Sequence, residues 1–410
     1  KALIQVVVET GAERPDECRL TRVLAELFRS GTASLTGARL TDSVTHMGGA
    51  LAVSARPEGI ELTLEVLSPY AEPAIELLGQ IVHAPRVDTT TVRTAVAAAM
   101  ASGPGGGDVS AAAQETFRTA LFPGGEFGRA CTRGERYTSA AVRHFHAARV
   151  TGGSTTVYVV GRFSRPAAER AVARAFGTLV RGAGDAPRAG NAPRAEAGGA
   201  PAARLEIVQQ PGARQVALVV GGRVPGPSDS DYTRLRVANA LLGGGLISRI
   251  TMNIREAHGY AYAPASELVA TPSGGAYWAE EVNVAAPVAW PALREIIKEI
   301  GRLGAGAPDS AELAGTQRYV IGRTLVTRAT RAGVLEAMKA ADAAAGRHGG
   351  DAGGVLGVQP SDVRRVVGSY IGARDLTIVV AGDTTAMGGQ IADLRRGVAA
   401  LRAGRADGAR

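Results

Sequence analysis

Two side chains that can donate hydrogen bonds, Arg255 and Tyr262, lie seven residues apart in the stretch NALLGGGLISRITMNIREAHGYAYAPAS. A guanidinium beside a phenol provides fixed donors, which suit a carbonyl oxygen that is becoming an oxyanion. On an unbroken helix this spacing returns to nearly the same face, and a turn after the helix still allows the two side chains to converge. The alternative is an arginine on the surface and a tyrosine packed in a strand.

The elements that would position this pair are separated by glycines. An apolar-periodic helix ends at Gly243, Gly244 and Gly245, because three residues without a Cβ strongly disfavour continuation of a helix. A second helix follows, and a strand rich in tyrosine and alanine begins after Gly259. His258 lies at the end of the second helix, where an imidazole complements the helix dipole, so a contact with substrate and a structural role both stay open.

The sequence GGGLISRITMNIREAHGYAY, residues 243–262, resembles the second-domain signature of the M16 family of zinc peptidases, which includes pitrilysin, insulinase and the mitochondrial processing peptidase. The likeness is to the shorter bacterial and mitochondrial subfamily in particular, and a fainter likeness extends from about Val6 to about Asp383. The resemblance implies that Arg255 and Tyr262 hold the substrate. The glycines would let the backbone approach substrate or a partner closely, unless they are only a flexible break between two helices.

The first half of the chain departs from this family at the zinc motif. The family carries His-x-x-Glu-His on its first helix, where two histidines bind zinc and the glutamate acts as general base. Aligned on Gly31-Thr32, those positions are Arg22, Ala25 and Glu26, and the further glutamate ligand falls in the run Ala95–Ala101. Because arginine cannot ligate zinc and alanine cannot act as a base, no metal site is expected in this chain.

Composition sets further limits on function. The net charge is +8, but aromatic residues make up only 4% and no basic run is interleaved with stacking residues, so no nucleic acid is expected. No apolar run reaches the ~18 residues of a membrane helix. His144 and His146 point to opposite sides of a predicted helix, which argues against a metal role. Cys18 and Cys131 are interpreted as small buried apolar residues rather than a disulfide framework.

The chain repeats its pattern of elements. QVALVVGGRVPGPSDSDYTRLRVANALLGG echoes IQVVVETGAERPDECRLTRVLAELFRSG, and LTIVVAGD echoes TVYVVGRF, at offsets of roughly 210 to 220 residues. Residues 182–203 contain no large apolar side chain and are predicted to be a flexible linker. The predicted fold is α+β, with two homologous M16-type (LuxS/metallohydrolase-like) domains at 1–181 and 204–410, each an antiparallel-rich sheet packed with helices.

These observations predict the non-zinc-binding subunit of a heterodimeric M16-type metallopeptidase. Zinc is expected in a homologous partner subunit, and this chain would present Arg255 and Tyr262, with Gly243–Gly245 and His258 beside them, to small unfolded peptides. The alternative is a catalytically inert scaffold, like the core subunits of the mitochondrial respiratory bc complex, which resemble peptidase subunits. Abundant glycine, alanine and arginine fit a high-GC bacterium, with cytoplasm and periplasm both open.

Overall fold

The computed structural model describes residues 1–11, 13–14, 17–56, 59–101, 108–123, 137–180, 203–270, 276–343 and 352–403. The predicted linker, apart from Ala203, lies outside the described residues, and so does Cys131. Within these segments, none of the helices combines the length and the apolar character needed to cross a bilayer.

The described segments form strands and helices that are interspersed along the chain. The strands are β1 Ala2–Glu9, β2 Ala50–Arg56, β3 Gly59–Val66, β4 Thr155–Gly161, β5 Arg204–Gln209, β6 Val216–Arg223, β7 Ala265–Ala270, β8 Ala276–Val284 and β9 Thr377–Gly382. The helices are α1 Leu20–Ser30, α2 Gly37–His46, α3 Ala71–His83, α4 Thr89–Ala101, α5 Val109–Leu121, α6 Ser139–Arg149, α7 Arg165–Phe176, α8 Tyr232–Leu242, α9 Arg249–Thr251, α10 Ala289–Ala305, α11 Ser310–Arg328, α12 Arg331–Ala343, α13 Ala352–Leu356, α14 Pro360–Tyr370, α15 Thr384–Met387 and α16 Gln390–Arg402. A π-helical segment, Met252–Ala257, directly continues α9.

The first compact unit comprises Lys1–Ser102, Phe122–Arg188 and Thr327–Lys339. Its sheet has the order β2-β3-β1-β4, and every neighbouring pair is antiparallel. The inner strand β1 is rich in β-branched valine and isoleucine, which favour a pleated sheet, and it is buried along almost its whole length. Phe28 of α1 and Ile75 of α3 join the apolar core on this sheet.

The second compact unit comprises Gly103–Leu121, Ala189–Val326 and Ala340–Arg410. Its sheet has the order β5-β9-β6-β8-β7, in which β5 and β9 are parallel and the other pairs are antiparallel. Trp278 of β8 is fully buried in a core that helices α8, α10 and α14 complete. Both units are therefore antiparallel-rich sheets packed with helices, which confirms the predicted α+β fold.

Each unit contains a helix that belongs to the other half of the sequence. Helix α5 packs on β6 and β9 of the second sheet, where Phe117 meets Tyr277 edge to face with ring centres 5.6 Å apart. In the first unit, Leu335 of α12 packs on Leu3 and Val160. The boundaries 1–181 and 204–410 divide the chain by its sequence repeat and stay a prediction, whereas these spatial units follow the packing.

The interpretation of Cys18 as a free buried side chain is wrong. Cys18 is buried but disulfide-bonded, and the only other cysteine of the chain is Cys131. The long separation of the two cysteines in sequence does not argue against a bridge, because distance along the chain does not limit distance in a folded domain.

Candidate functional site

The glycine run at the end of α8 is packed tightly against its own unit. The N–H groups of Gly243 and Gly244 both donate to the Asn239 carbonyl, at 3.0 and 2.8 Å, and close the helix. A Cβ on Gly243 would overlap Oε2 of Glu280 and would lie 2.7 Å from Oγ of Ser266. The first glycine is therefore required by the packing of β7 and β8 beneath it.

The other two glycines are braced by α11. The carbonyl of Gly244 accepts hydrogen bonds from Tyr319 Oη at 3.3 Å and from Arg323 Nη1 at 3.2 Å. A Cβ on Gly245 would come within 3.2 Å of the Tyr319 ring. The next two residues, Leu246 and Ile247, are 74% and 81% exposed, so the braced run ends in two apolar side chains that face solvent.

The second helix of the motif is short and changes its winding. Ser248 precedes α9 and donates from Oγ to the Gly245 carbonyl at 2.6 Å. Arg249 forms a two-point ion pair with Glu312 of α11, at 2.8 and 2.7 Å. The chain then continues in the π-helical segment Met252–Ala257, and Gly259 leaves it at φ +63°. This positive φ is a conformation that glycine adopts at little cost.

The structure brings Arg255 and Tyr262 together. Cζ of Arg255 lies 4.9 Å from the centre of the Tyr262 ring, within the range of a cation–π contact. Nε of Arg255 pairs with Glu256 Oε1 at 3.1 Å. Tyr262 is 81% exposed, so its ring faces solvent rather than the core, whereas the Arg255 side chain is 33% exposed.

His258 is held at the end of the π-helical segment. Its Nδ1 donates to the Asn253 carbonyl at 3.0 Å, and its ring stacks on Tyr260 at 4.9 Å with an interplanar angle of 27°. An imidazole that donates to a terminal carbonyl complements the helix dipole, as the structural alternative predicts. The side chain stays exposed next to Gly259.

A buried carboxyl group below the glycine run was not identified from the sequence. Glu280 is fully buried, and neither carboxyl oxygen has a hydrogen-bond partner in the described part of the chain. Burial, and secondarily the charge of Glu281, raise the pKa of Glu280 well above its usual value. The adjacent pair Glu280-Glu281 on one strand offered a signal, because one of two successive strand residues must face the core.

The side chains at the aligned zinc positions do not fit a zinc ion. Arg22 brings a cation, and the buried methyl group of Ala25 has no donor atom. Glu26 is paired with Arg29, whose guanidinium also donates to the Val53 carbonyl on β2. Among the described residues, no three histidine, cysteine, aspartate or glutamate side chains are grouped closely enough to hold a metal ion.

The two clustered histidines lie on α6, as the helical prediction required. His146 Nε2 donates to the Val82 carbonyl at 2.7 Å, and burial lowers the pKa of His146. His144 is exposed. His146 is therefore part of the packing of the first unit, and His144 faces solvent.

Comparison with known proteins finds one family. Residues 136–319 match the family model described as the peptidase M16 inactive domain. An uncharacterized zinc protease of Mycobacterium leprae is 30% identical over 253 residues, which cover 59% of this chain and 54% of that protein. The match thus spans about half the length of this relative.

Solved structures share the fold across nearly the whole chain. A peptidase M16 inactive domain from Pseudomonas fluorescens superposes with a TM-score of 0.76 at 17% identity, over 93% of this chain and 92% of that one. A protease from Helicobacter pylori superposes with a TM-score of 0.79 at 16% identity, over 93% and 94%. At such identities the likeness establishes the fold alone.

Proposed function

We propose that this chain, a member of the M16 peptidase family by its match to the family model and to the Mycobacterium leprae relative, is the non-zinc-binding subunit of a heterodimeric zinc metallopeptidase of that family. In this proposal a homologous second chain holds the zinc, and small unfolded peptides are cleaved there. The zinc-protease description of the Mycobacterium leprae relative and the inactive-domain description of the matching family model support this assignment.

The observation that carries the proposal is the contact between the exposed Tyr262 and the partly exposed Arg255. Because the ion pair with Glu256 uses Nε, the two Nη groups of Arg255 can donate elsewhere. The phenol provides a second donor close by. Two donors that converge on one point hold a peptide carbonyl oxygen and stabilise the negative charge that develops on it during hydrolysis.

The neighbouring strand offers a place for the rest of the peptide. Strand β7 follows Tyr262 by three residues and pairs, among the described strands, with β8 alone. The unpaired edge of such a strand can accept an extended peptide by main-chain hydrogen bonds. We place Gly243–Gly245 and His258 beside this peptide, as the residues that would contact it next to Arg255.

The test is a reconstitution with a zinc-containing homologue from the same organism. This chain, the homologue and their mixture are each assayed for zinc content, stoichiometry and cleavage of unstructured peptides. The proposal predicts a one-to-one complex that cleaves peptides when neither chain alone does so. A chain that purifies alone, or in an assembly without hydrolysis, would contradict the proposal and favour the scaffold function.

A further inference from the structure

The helical segment that carries Arg255 has unusual winding. From Met252 to Ala257 the helix is of the π type, and the N–H of His258 reaches back to the Asn253 carbonyl at 3.1 Å. A π turn contains one more residue than an α turn, so it rotates the side chains that follow, and such turns are rare and frequent at functional sites. A less favourable winding needs specific contacts to hold it.

The contacts come from one side chain of this segment, Asn253. Its Nδ2 donates to Glu299 Oε1 at 2.8 Å and to Glu295 Oε2 at 3.1 Å. These two carboxylates lie one helical turn apart on α10 and are only 3% and 6% exposed. Because carboxylates only accept hydrogen bonds, the amide must present its NH2 group to them, which fixes its orientation.

Each of the two carboxylates is paired with a cation of the same helix. Lys298 Nζ lies 2.9 Å from Glu295 Oε2, and Arg302 Nη1 lies 2.8 Å from Glu299 Oε1. Burial raises the pKa of Glu295, but the bonds from Lys298 and Asn253 outweigh it and leave this pKa below the usual value. Hydrogen bonds to ionised acceptors are about twice as strong as neutral ones, so Asn253 is firmly anchored.

We propose that Asn253, clamped by Glu295 and Glu299 of α10, is the positioning residue that turns Arg255 toward Tyr262. Asn253 and Arg255 lie two residues apart in the π-helical segment, with the fully buried Ile254 between them. Asn253 thus fixes one side of the turn through polar contacts while Ile254 fixes it through the core. The effect of Asn253 on the position of Arg255 involves this chain alone. Its consequence for peptide hydrolysis rests on the proposed function.

The test detects whether the guanidinium of Arg255 lies against the ring of residue 262. We would incorporate 3-fluorotyrosine in place of Tyr262 and record the fluorine NMR resonance of the isolated chain. Arg255→Ala in this background gives the resonance of the ring without its cation. Asn253→Ala should move the resonance most of the way to that position, whereas Asn283→Ala, an exposed asparagine of the same unit, should not move it.

The thermal unfolding of each variant is measured on the same sample. A shift of the resonance in a variant that is still folded therefore reports a local change and not a general loss of stability. The proposal is overturned if folded Asn253→Ala keeps the resonance of the unsubstituted chain. If Asn253→Ala does not fold, Glu299→Gln is used in its place, because a neutral amide is a weaker acceptor for the Asn253 side chain. A resonance that does not move in Glu299→Gln would also overturn the proposal. Peptide cleavage does not enter the measurement, so failure of the proposed function would be seen separately, in the reconstitution.

Discussion

The guanidinium of Arg255 lies 4.9 Å from the ring centre of Tyr262, although Arg255 belongs to the π-helical segment and Tyr262 to the loop between Gly259 and β7. Such a contact contributes about 0.5 to 1 kcal/mol at an exposed site, too little to explain an aromatic ring that is 81% exposed. The stack does, however, restrict the plane of the guanidinium. In the proposed function, this restriction orients Arg255 toward a peptide carbonyl.

Replacing Arg255 by alanine should reduce peptide turnover by the reconstituted pair about 100-fold to 1000-fold. The reason is the loss of a donor to the developing oxyanion, which costs about 2.7 to 4 kcal/mol in comparable sites. Turnover and complex formation are measured together. Arg364→Ala, an exposed arginine on α14, is the matched control and should leave both unchanged. Equal turnover in the Arg255→Ala and Arg364→Ala variants would remove Arg255 from the site.

Two substitutions of Tyr262 distinguish the contribution of its hydroxyl group from that of its ring. Tyr262→Phe keeps the stack on Arg255 and removes a neutral donor worth about 0.5 to 1.5 kcal/mol, so turnover should fall roughly twofold to tenfold. Tyr262→Ala also releases the guanidinium and should cost more. The comparison is made in single-turnover kinetics at saturating peptide. A Tyr262→Phe variant as fast as the unsubstituted chain would show that the phenol does not donate to the reacting carbonyl.

Gly243 should be far less tolerant of alanine than a glycine in open space. Its new Cβ would overlap the Glu280 carboxyl group and press on Ser266, and overpacking of this kind costs about 1 to 3 kcal/mol. Around Gly301 on α10, no neighbouring atom of the described residues lies within 4 Å of the place that a Cβ would occupy, so Gly301→Ala should be neutral or stabilising by up to about 1 kcal/mol. Urea unfolding of the two variants gives the comparison, and equal effects would contradict the packing argument.

Local patterns in the sequence predicted much of this architecture. The apolar run of β1 and the apolar stripe of α1 are properties of short segments, and their counterparts β6 and α8 reveal the repeat. The spacing of Arg255 and Tyr262 across Gly259 allowed the two side chains to converge, and the structure places Cζ of Arg255 4.9 Å from the centre of the Tyr262 ring. These predictions succeeded because each depends on residues that are close in sequence.

Features set by distant contacts could not be predicted in this way. The π-helical winding at Asn253 depends on two carboxylates of α10, more than forty residues later. The placement of α12 in the first unit likewise brings together segments that no periodicity relates. The packing of Glu280 below Gly243 depends on the register of β7 and β8 rather than on either local sequence.

Substitution of Leu335 tests whether α12 stabilises the first unit. The side chain is 2% exposed against Leu3 and Val160, and Arg331 and Lys339 on either side of it pair with Glu65 and Glu61 of β3, each at 2.6 Å. Leu335→Ala should destabilise this unit by about 2 to 5 kcal/mol through the lost burial and the cavity.

The neighbouring Val334 is 37% exposed, so Val334→Ala is the matched control, with an expected change within about 0.5 kcal/mol. Hydrogen exchange of β1 amides reports the stability of the first unit. If the two variants protect β1 equally well, α12 does not stabilise that sheet.

Glu280 should make the protein less stable as the pH rises. Burial raises the pKa of Glu280 in the folded state well above the ordinary value of 4.5. Above about pH 4.5 the unfolded chain has therefore lost this proton while the folded chain still binds it. The linkage lowers the free energy of unfolding by up to about 1.4 kcal/mol per pH unit until the folded-state pKa is reached.

Glu280→Gln has nearly the same shape and no proton to lose, so it should remove this slope and be more stable than the unsubstituted chain at neutral pH. Urea unfolding from pH 4 to pH 8 measures the difference, which should grow with pH. Glu206→Gln, on the edge strand β5 of the same unit, should not produce such a trend. A difference between Glu280→Gln and the unsubstituted chain that is constant with pH would mean that Glu280 is ionised in the folded state. It would then need a cationic or hydrogen-bonding partner below the glycine run.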